Sequence, residues 1–566
     1  MKRYIWLLLI AISFLPLASF FVPGLPVTHD GQDHVARIAN FYQALSEGIL
    51  VPRWAGNLNW GYGHPILMFL YPMSSYVASL FHSVGLSYVD ATKAVFVFAY
   101  IASILSMYLW MSTAWGKRIG FVGALLYGFA PYRFVDMYIR GAIGEHMAFV
   151  FPPIICFFLY KLATYAFSKT YDLRPKIYYG VGLSISFAFL ILSHNAISLM
   201  FLPLIGLYIL YLFIFQAKKS LLFLAYCLMS IVLGFGLSSF FWLPAFIEGK
   251  YTLRNIVTAG VGPERFVPIK AFFYSPWNSA EGNTMTQSIG FFQWIGIIAS
   301  IVLLFKTKER EIRFLLSVFY SLFFVSLFIM TPFSAWIWER IMILQNFQFP
   351  WRFLSLTTFL SAVLGGVSIP YIIKSVVRNS QLSKTQEPRT TNVLLVIFCF
   401  LIIVSASHMW RPKAYQTKDE SFYTGIYKST TDTGESSPIW TTRFMEQIPK
   451  EEIEVISGIA RVEKIRRTTT LHAYRIVADT RAEFLENTIY FPGWEVLVDG
   501  NKTDIQFQSE IHRGIMSFWV DKGEHRVEVV FRDTKVRKIA AGITVVSGIV
   551  LILGSIIPGF LWKRKK

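Results

Sequence analysis

The chain has 566 residues, 54% of them hydrophobic and 17% aromatic but only 15% charged, a composition that excludes an ordinary soluble domain and asks for lipid as solvent. Its net charge of +19 does not make it a nucleic-acid binder, because Lys and Arg fall in short clusters between apolar runs rather than on one basic domain. Cys156, Cys227 and Cys399 all lie within apolar runs, so neither a disulfide framework nor a Cys-based zinc site is expected.

Met1-Lys2-Arg3 precedes an apolar run to Val22 that is long for a signal peptide, and Pro23-Gly24-Leu25-Pro26 is a poor cleavage site. An uncleaved first span is predicted. Runs able to cross a core of about 30 Å occur near 4–22, 92–112, 119–135, 146–166, 178–194, 196–215, 221–246, 287–305, 312–330, 353–375, 392–408 and 539–561, about twelve in all. With the N-terminus inside, every inner segment is basic: Lys2/Arg3, Lys117/Arg118, Lys169/Arg174/Lys176, Lys218/Lys219, Lys306/Lys308/Arg310/Arg313, Lys374/Arg378/Lys384/Arg389 and Lys563 to Lys566. One span more or fewer would invert that pattern. A multi-pass protein of the cell (inner or plasma) membrane follows, with both termini cytoplasmic.

Ile66 to Val84, flanked by Pro65 and interrupted by Pro72, is too broken for a span and reads as helices in the outer interface. Pro332 to Pro350 reads the same way. Between 409 and 538 the chain turns polar and strand-like, with Asp499-Gly500 and Asp521-Lys522-Gly523 as turns. The predicted organisation is an all-α transmembrane module over 1–408, a small extracytoplasmic β-rich domain over 409–538, and a last span with a basic tail over 539–566.

Four polar clusters carry candidate chemistry. His29-Asp30-Gly31-Gln32-Asp33-His34 follows the first helix, with Arg37 one turn on. Two carboxylates and two imidazoles in so short a stretch suffice for a general base, a metal site or both; helix-capping aspartates in a solvated loop account for the same pattern. Tyr138-Ile139-Arg140 leads to Glu145-His146 at the start of a span, where Glu145 equally suits a cap complementing the helix dipole. Ser193-His194-Asn195 forms a tight outer turn, and a turn-forming Asn explains it as simply. Gln348-Phe349-Pro350-Trp351-Arg352 opens the tenth span, where Arg352 either anchors at the interface or offers its fork to phosphate oxygens. All four clusters fall on one face, and ionisable groups at membrane depth are costly, so a joint site is expected of them.

The acidic motif directly after helix one, with interfacial helices behind it, resembles the GT-C superfamily of lipid-linked-sugar glycosyltransferases. More closely, His29 to His34, Asn59-Trp60-Gly61-Tyr62-Gly63-His64-Pro65, Tyr138 to Glu145, Leu192 to Asn195, Gln348 to Arg352 and Tyr490-Phe491-Pro492-Gly493-Trp494-Glu495-Val496 resemble, over most of the chain, bacterial membrane proteins labelled 6-pyruvoyl-tetrahydropterin synthase-related and the YfhO-like group. The pterin chemistry in that label belongs to a soluble enzyme, and no His-rich zinc site of its kind is visible. The GT-C resemblance implies a glycosyltransferase moving a sugar from a polyprenyl phosphate to an extracytoplasmic glycan, lipid or protein, with the bilayer and the lipid-linked sugar as partners. It implies Asp30 as base, with Asp33 second and His34 beside them. His29, Arg37, Arg140, Glu145, His146, His194, Asn195, Gln348 and Arg352 are then candidates for substrate binding, Arg140 and Arg352 for the phosphate on charge and side. The sequence departs from superfamily members with two adjacent acids, so Mg²⁺ or Mn²⁺ dependence stays open and no other cofactor is implied. A transporter or flippase would instead place ionisable groups mid-membrane within broken spans. A non-enzymatic glycan-binding protein would carry its function in the β-domain.

Overall fold

The structure, a computed structural model, describes residues 2–166, 174–277, 285–380 and 386–563; the basic residues Lys169, Lys384 and those from Arg564 to Lys566 lie outside them. Among the described residues nine helices are long and apolar enough to cross a bilayer, and a tenth arises if Leu221–Leu237 and Ser239–Tyr251, bent by 69°, count as one. Two predicted spans come out shorter. Residues 287–305 yield Phe291–Lys306, of 16 residues. Residues 119–135 split into Lys117–Gly128, Pro131–Phe134 and the π-helical turn Val135–Arg140. Pro131 has no N–H to continue the helix, and beyond it Arg133 and Asp136 are fully buried among protein, a placement that a hydropathy run does not reveal.

The helix Leu354–Asn379 runs through the middle of the bundle. Small residues let its neighbours approach: a Cβ on Gly296 would lie 2.7 Å from the Gly365 Cα, and one on Gly366 2.8 Å from the Gly123 Cα. Without a hydrophobic driving force between helices in lipid, such close backbone packing supplies the contact. The two predicted interfacial stretches are short helices, Ile66–Phe69 and Met73–Ser83 on one side of the sequence and Ala335–Arg340 and Met342–Gln345 on the other.

Within 409–538 two antiparallel sheets form. One has the order Ala460–Arg467, Leu471–Ala478, Gly523–Phe531, Trp494–Val498, Asn501–Thr503; the other is Ile453–Ser457, Ala482–Ile489, Ile515–Val520. Asp499 and Gly500 join two of these strands with φ of 49° and 82°, the left-handed pair a two-residue hairpin requires. The sheets close on Ile476, Phe484, Val496, Phe518 and Val527, and Trp54, Met68 and Phe69 from the membrane module enter the same core. Two further ties hold the domain to the helices: Arg537 of the last helix, paired with Glu248 at 2.9 Å, donates Nη2 to Pro492 O at 2.6 Å, and Arg53 pairs with Asp533 at 3.2 Å.

Candidate functional site

The chain leaving the first helix pairs as Leu25–Pro26 with Tyr415–Gln416, then turns its amides the other way. His29 N donates to Ile139 O and Asp30 N to Arg140 O, both at 2.9 Å. Gly141, at φ 68°, permits this approach, since a Cβ there would collide with the Thr28 side chain. Asp30 occupies the N-cap of the helix Gly31–Ser46 without a side-chain capping bond; Thr28 Oγ1 accepts from Gly31 N instead, at 3.1 Å. The capping explanation therefore fails for the Asp30 carboxylate, which is half-buried and uncommitted among the described residues.

Asp33 is differently placed. Tyr427 donates its hydroxyl to Asp33 Oδ1 at 2.7 Å, and Gln32 Nε2 donates to the same hydroxyl at 2.9 Å. Burial raises the Asp33 pKa above the ordinary carboxylate value; Arg37 and the Tyr427 hydrogen bond oppose this, while Asp30 and Asp432 add to it. Arg37 Nη2 donates to Thr431 O at 3.0 Å, which fixes the 427–432 segment over the helix. His34 is buried, with Nε2 unpartnered, and burial, reinforced by Arg37, holds its pKa well below the usual imidazole value. It lines a narrow cleft together with Arg37, Tyr71 and Ile143.

A second cavity, with about 650 Å³ of empty space, lies on the other side of Tyr71 and is lined by His194, Asn195, Arg254, Gln348 and Arg352. Arg352 Nη1 donates to Phe347 O at 2.9 Å, but its Nε and the Asn195 Oδ1 are buried without partners. Such atoms cost free energy unless something else meets them. His194 caps the helix Asn195–Phe215, its Nδ1 accepting from Ile197 N at 3.3 Å, and stacks on Tyr71 at 4.7 Å. Gln348, at φ 62°, donates to Glu435 Oε1 at 3.1 Å. Burial pulls the Arg254 pKa down, with Glu435 opposing and Arg352 reinforcing, so two guanidinium groups and one carboxylate share this cavity.

Arg140 is held from below. Its Nη1 lies 2.6 Å from Asp136 Oδ1, 2.6 Å from Glu145 Oε2 and 3.2 Å from the Tyr132 hydroxyl, which itself donates to Glu145 Oε1 at 2.7 Å. The flat side of its guanidinium faces Trp351 at 4.4 Å, the neighbour of Arg352. Glu145 thus makes an ion pair and also stands in the first turn of the helix Ile143–Ala148, where its charge complements the dipole. His146 turns away from both cavities, its Nε2 3.3 Å from Phe96 O and its ring against Phe96 and Tyr100.

The four clusters meet at Tyr71. Its phenol pKa is raised by burial, and the charges it feels are those of Arg37, Asp30, Arg352 and Arg140. Its ring lies on Gly144, where a Cβ would fall inside it. Tyr71, Arg254, Tyr427 and Glu435 gave no signal in the sequence; Asp136 is missing from the candidates too, although its place four residues before Arg140 is that of a helical ion pair. Among the described residues no group of three or more His, Cys, Asp or Glu is placed to hold a metal ion.

Residues 67–413, more than half of the chain, match the profile of the 6-pyruvoyl-tetrahydropterin synthase related domain, a family of membrane proteins. The chain belongs to this family. An uncharacterised protein of Lactococcus lactis subsp. cremoris is 23% identical to this family member over 267 residues, which cover 45% of the chain and 42% of that protein; the chain thus spans less than half of that relative's length. Among solved structures it is similar to the Archaeoglobus fulgidus oligosaccharyltransferase (15% identity, TM-score 0.44, covering 77% of this chain and 61% of that one). It is also similar to ArnT from Cupriavidus metallidurans bound to undecaprenyl phosphate (12%, 0.40, 71% and 75%), and to the mycobacterial arabinofuranosyltransferase AftD (11%, 0.42, 73% and 27%).

Proposed function

We propose that this protein is a GT-C-type glycosyltransferase that moves a sugar from a polyprenyl phosphate to a hydroxyl-bearing acceptor, a glycan, lipid or protein, on the outer face of the membrane, both chain termini being cytoplasmic. The observation that carries the reading is the meeting of an uncommitted carboxylate and several guanidinium groups around one phenol, Tyr71. Asp30 takes the proton of the acceptor hydroxyl as its oxygen bonds to the anomeric carbon. The bond from that carbon to the phosphate oxygen breaks on the opposite side, the electron pair leaving with the phosphate and the anomeric configuration inverting. Charge developing on that oxygen is met by Arg352 and Arg254, half-buried cations in the wall of one cavity, where preorganised charge stabilises it. The partnerless Arg352 Nε and Asn195 Oδ1 are then satisfied by substrate, with His194 and Gln348 shaping the same cavity.

Asp33, His34 and Arg37 order the base and the 427–432 segment, and the exposed His29 contributes to substrate binding. Arg140, charge-balanced by Asp136 and Glu145, positions Trp351 and so Arg352, and His146 supports that layer from behind. Among the described residues no group of three or more acidic, imidazole or thiol side chains is placed to hold Mg²⁺ or Mn²⁺, and the transfer is written with the side chains alone. The test is to incubate purified protein with a panel of radiolabelled polyprenyl-phosphate hexoses and follow release of lipid phosphate. No release from any donor, in the presence of envelope glycans and lipids as acceptors, would remove the reading.

A further inference from the structure

A third cavity, with about 580 Å³ of empty space, lies outside the site just described, lined by Tyr138, Ile139, Trp277, His408, Arg411 and Lys413. It is on the membrane face that carries Asp30, because Tyr415–Gln416, two residues beyond Lys413, pairs with Leu25–Pro26. His408, Arg411 and Lys413 are exposed, and among the described residues none of the three has a carboxylate partner. Outer-face cations run against the usual bias toward cytoplasmic Lys and Arg, so a group of them beside a span is placed to meet an anionic headgroup.

The span below says what kind. The helix Gln386–Ala406 exposes Val393, Val396, Ile397, Phe400, Leu401 and Val404, with Val396 at 66% and Phe400 at 62%. These recur every three or four residues, one stripe of a helix, and the same spacing carries on from Val404 to His408 and Arg411. An apolar stripe that ends in cations and an interfacial Trp fits an amphiphile with an anionic head: acyl chain along the stripe, phosphate among the cations, Trp277 at headgroup level. The preceding segment exposes Phe273 and Tyr274, further interfacial anchors.

We infer that this cavity binds the phosphate of an anionic glycerophospholipid, at a site separate from the Arg352 cavity. Its back wall is Ile139, whose carbonyl receives the His29 amide, so a lipid seated there braces the strand that presents Asp30. The test uses the full-length chain in phosphatidylcholine nanodiscs containing either phosphatidylglycerol or a polyprenyl phosphate, with lipid retention counted by native mass spectrometry. R411E/K413E should lose about one retained phosphatidylglycerol per chain relative to wild type, whereas K522E, the same charge change on an exposed β-domain turn, should lose none. R411Q/K413Q, which keeps the surface polar and guards against misfolding by charge reversal, should show the same loss. Equal retention in wild type and both double variants would overturn the inference. So would a retained polyprenyl phosphate with no phosphatidylglycerol, or displacement of the lipid by inorganic phosphate alone.

Discussion

Replacing Asp30 by Asn separates chemistry from architecture, because the Asp30 carboxylate caps nothing. Asn matches its size, so stability should stay within the roughly 0.5 kcal/mol typical of substitutions that touch no special feature. Transfer should fall by about 10²- to 10⁴-fold, the usual worth of a general base, which is about 2.7–5.5 kcal/mol on the barrier. Asp33→Asn supplies the contrast. It keeps an oxygen for the Tyr427 hydroxyl, now 2.7 Å from Oδ1, but exchanges a charge-assisted bond for a neutral one, a loss of about 1 kcal/mol. Its effect should fall on thermal stability and on the seating of the 427–432 segment more than on turnover. Release of lipid phosphate from a radiolabelled polyprenyl-phosphate hexose reads the chemistry, and intrinsic fluorescence on heating reads the fold. Rescue of Asp33→Asn by excess Mn²⁺ or Mg²⁺ would reassign Asp33 as an oxygen ligand to a hard cation. Wild-type transfer by a well-folded Asp30→Asn protein would refute the assignment of the base.

Arg352→Lys keeps the charge and loses the fork, so donor affinity should weaken; Arg352→Ala should cost about 1.5–3 kcal/mol, roughly ten- to a hundredfold in a donor-binding titration, and equal affinity in all three proteins would remove Arg352 from the site. Glu145→Gln takes one of two carboxylates from the buried Arg140 and should lower stability by up to about 3 kcal/mol, the low end for a broken buried pair, because Asp136 stays at 2.6 Å; an unchanged melting temperature would contradict that packing. His34 makes stability pH-dependent with a definite sign. The unfolded imidazole takes up a proton near 6.5 while the folded one resists it, so stability falls as pH drops below 6.5 toward the folded value, by up to about 1.4 kcal/mol per pH unit. His34→Gln should flatten that acid limb in melting curves taken between neutral pH and pH 5, and an identical slope would mean that the imidazole is protonated in the fold.

Much of the fold is legible because the signals are local. Length and apolarity identify the long helices, Pro72 divides the interfacial stretch, and Asp499-Gly500 writes its hairpin into the chain. What is not legible depends on partners far away in sequence. The run 119–135 has the hydropathy of a span, yet Arg133 and Asp136 sit beyond its break with no exposure at all. Arg133 gives Nη2 to Ser103 Oγ at 2.7 Å and lies 4.1 Å from the Phe149 ring, contacts that only the packed bundle supplies.

The candidate site divides along the same line. His29 to His34 stands out because carboxylates and imidazoles crowd one turn, and Arg140, Glu145, His194, Gln348 and Arg352 stand out because each interrupts or borders an apolar run. Sequence spacing could not say which of them is committed. Arg140 and Arg352 look alike as outer arginines, but two buried carboxylates neutralise the first, whereas the second keeps a buried Nε with no partner. A cation already balanced at 2.6 Å by Asp136 and Glu145 gains little from a phosphate that must displace one of them. One whose buried Nε has no partner gains a charge-assisted bond without breaking another. If a lipid phosphate enters this site, it should therefore settle against Arg352 and Arg254 and leave the Arg140 ion pairs intact.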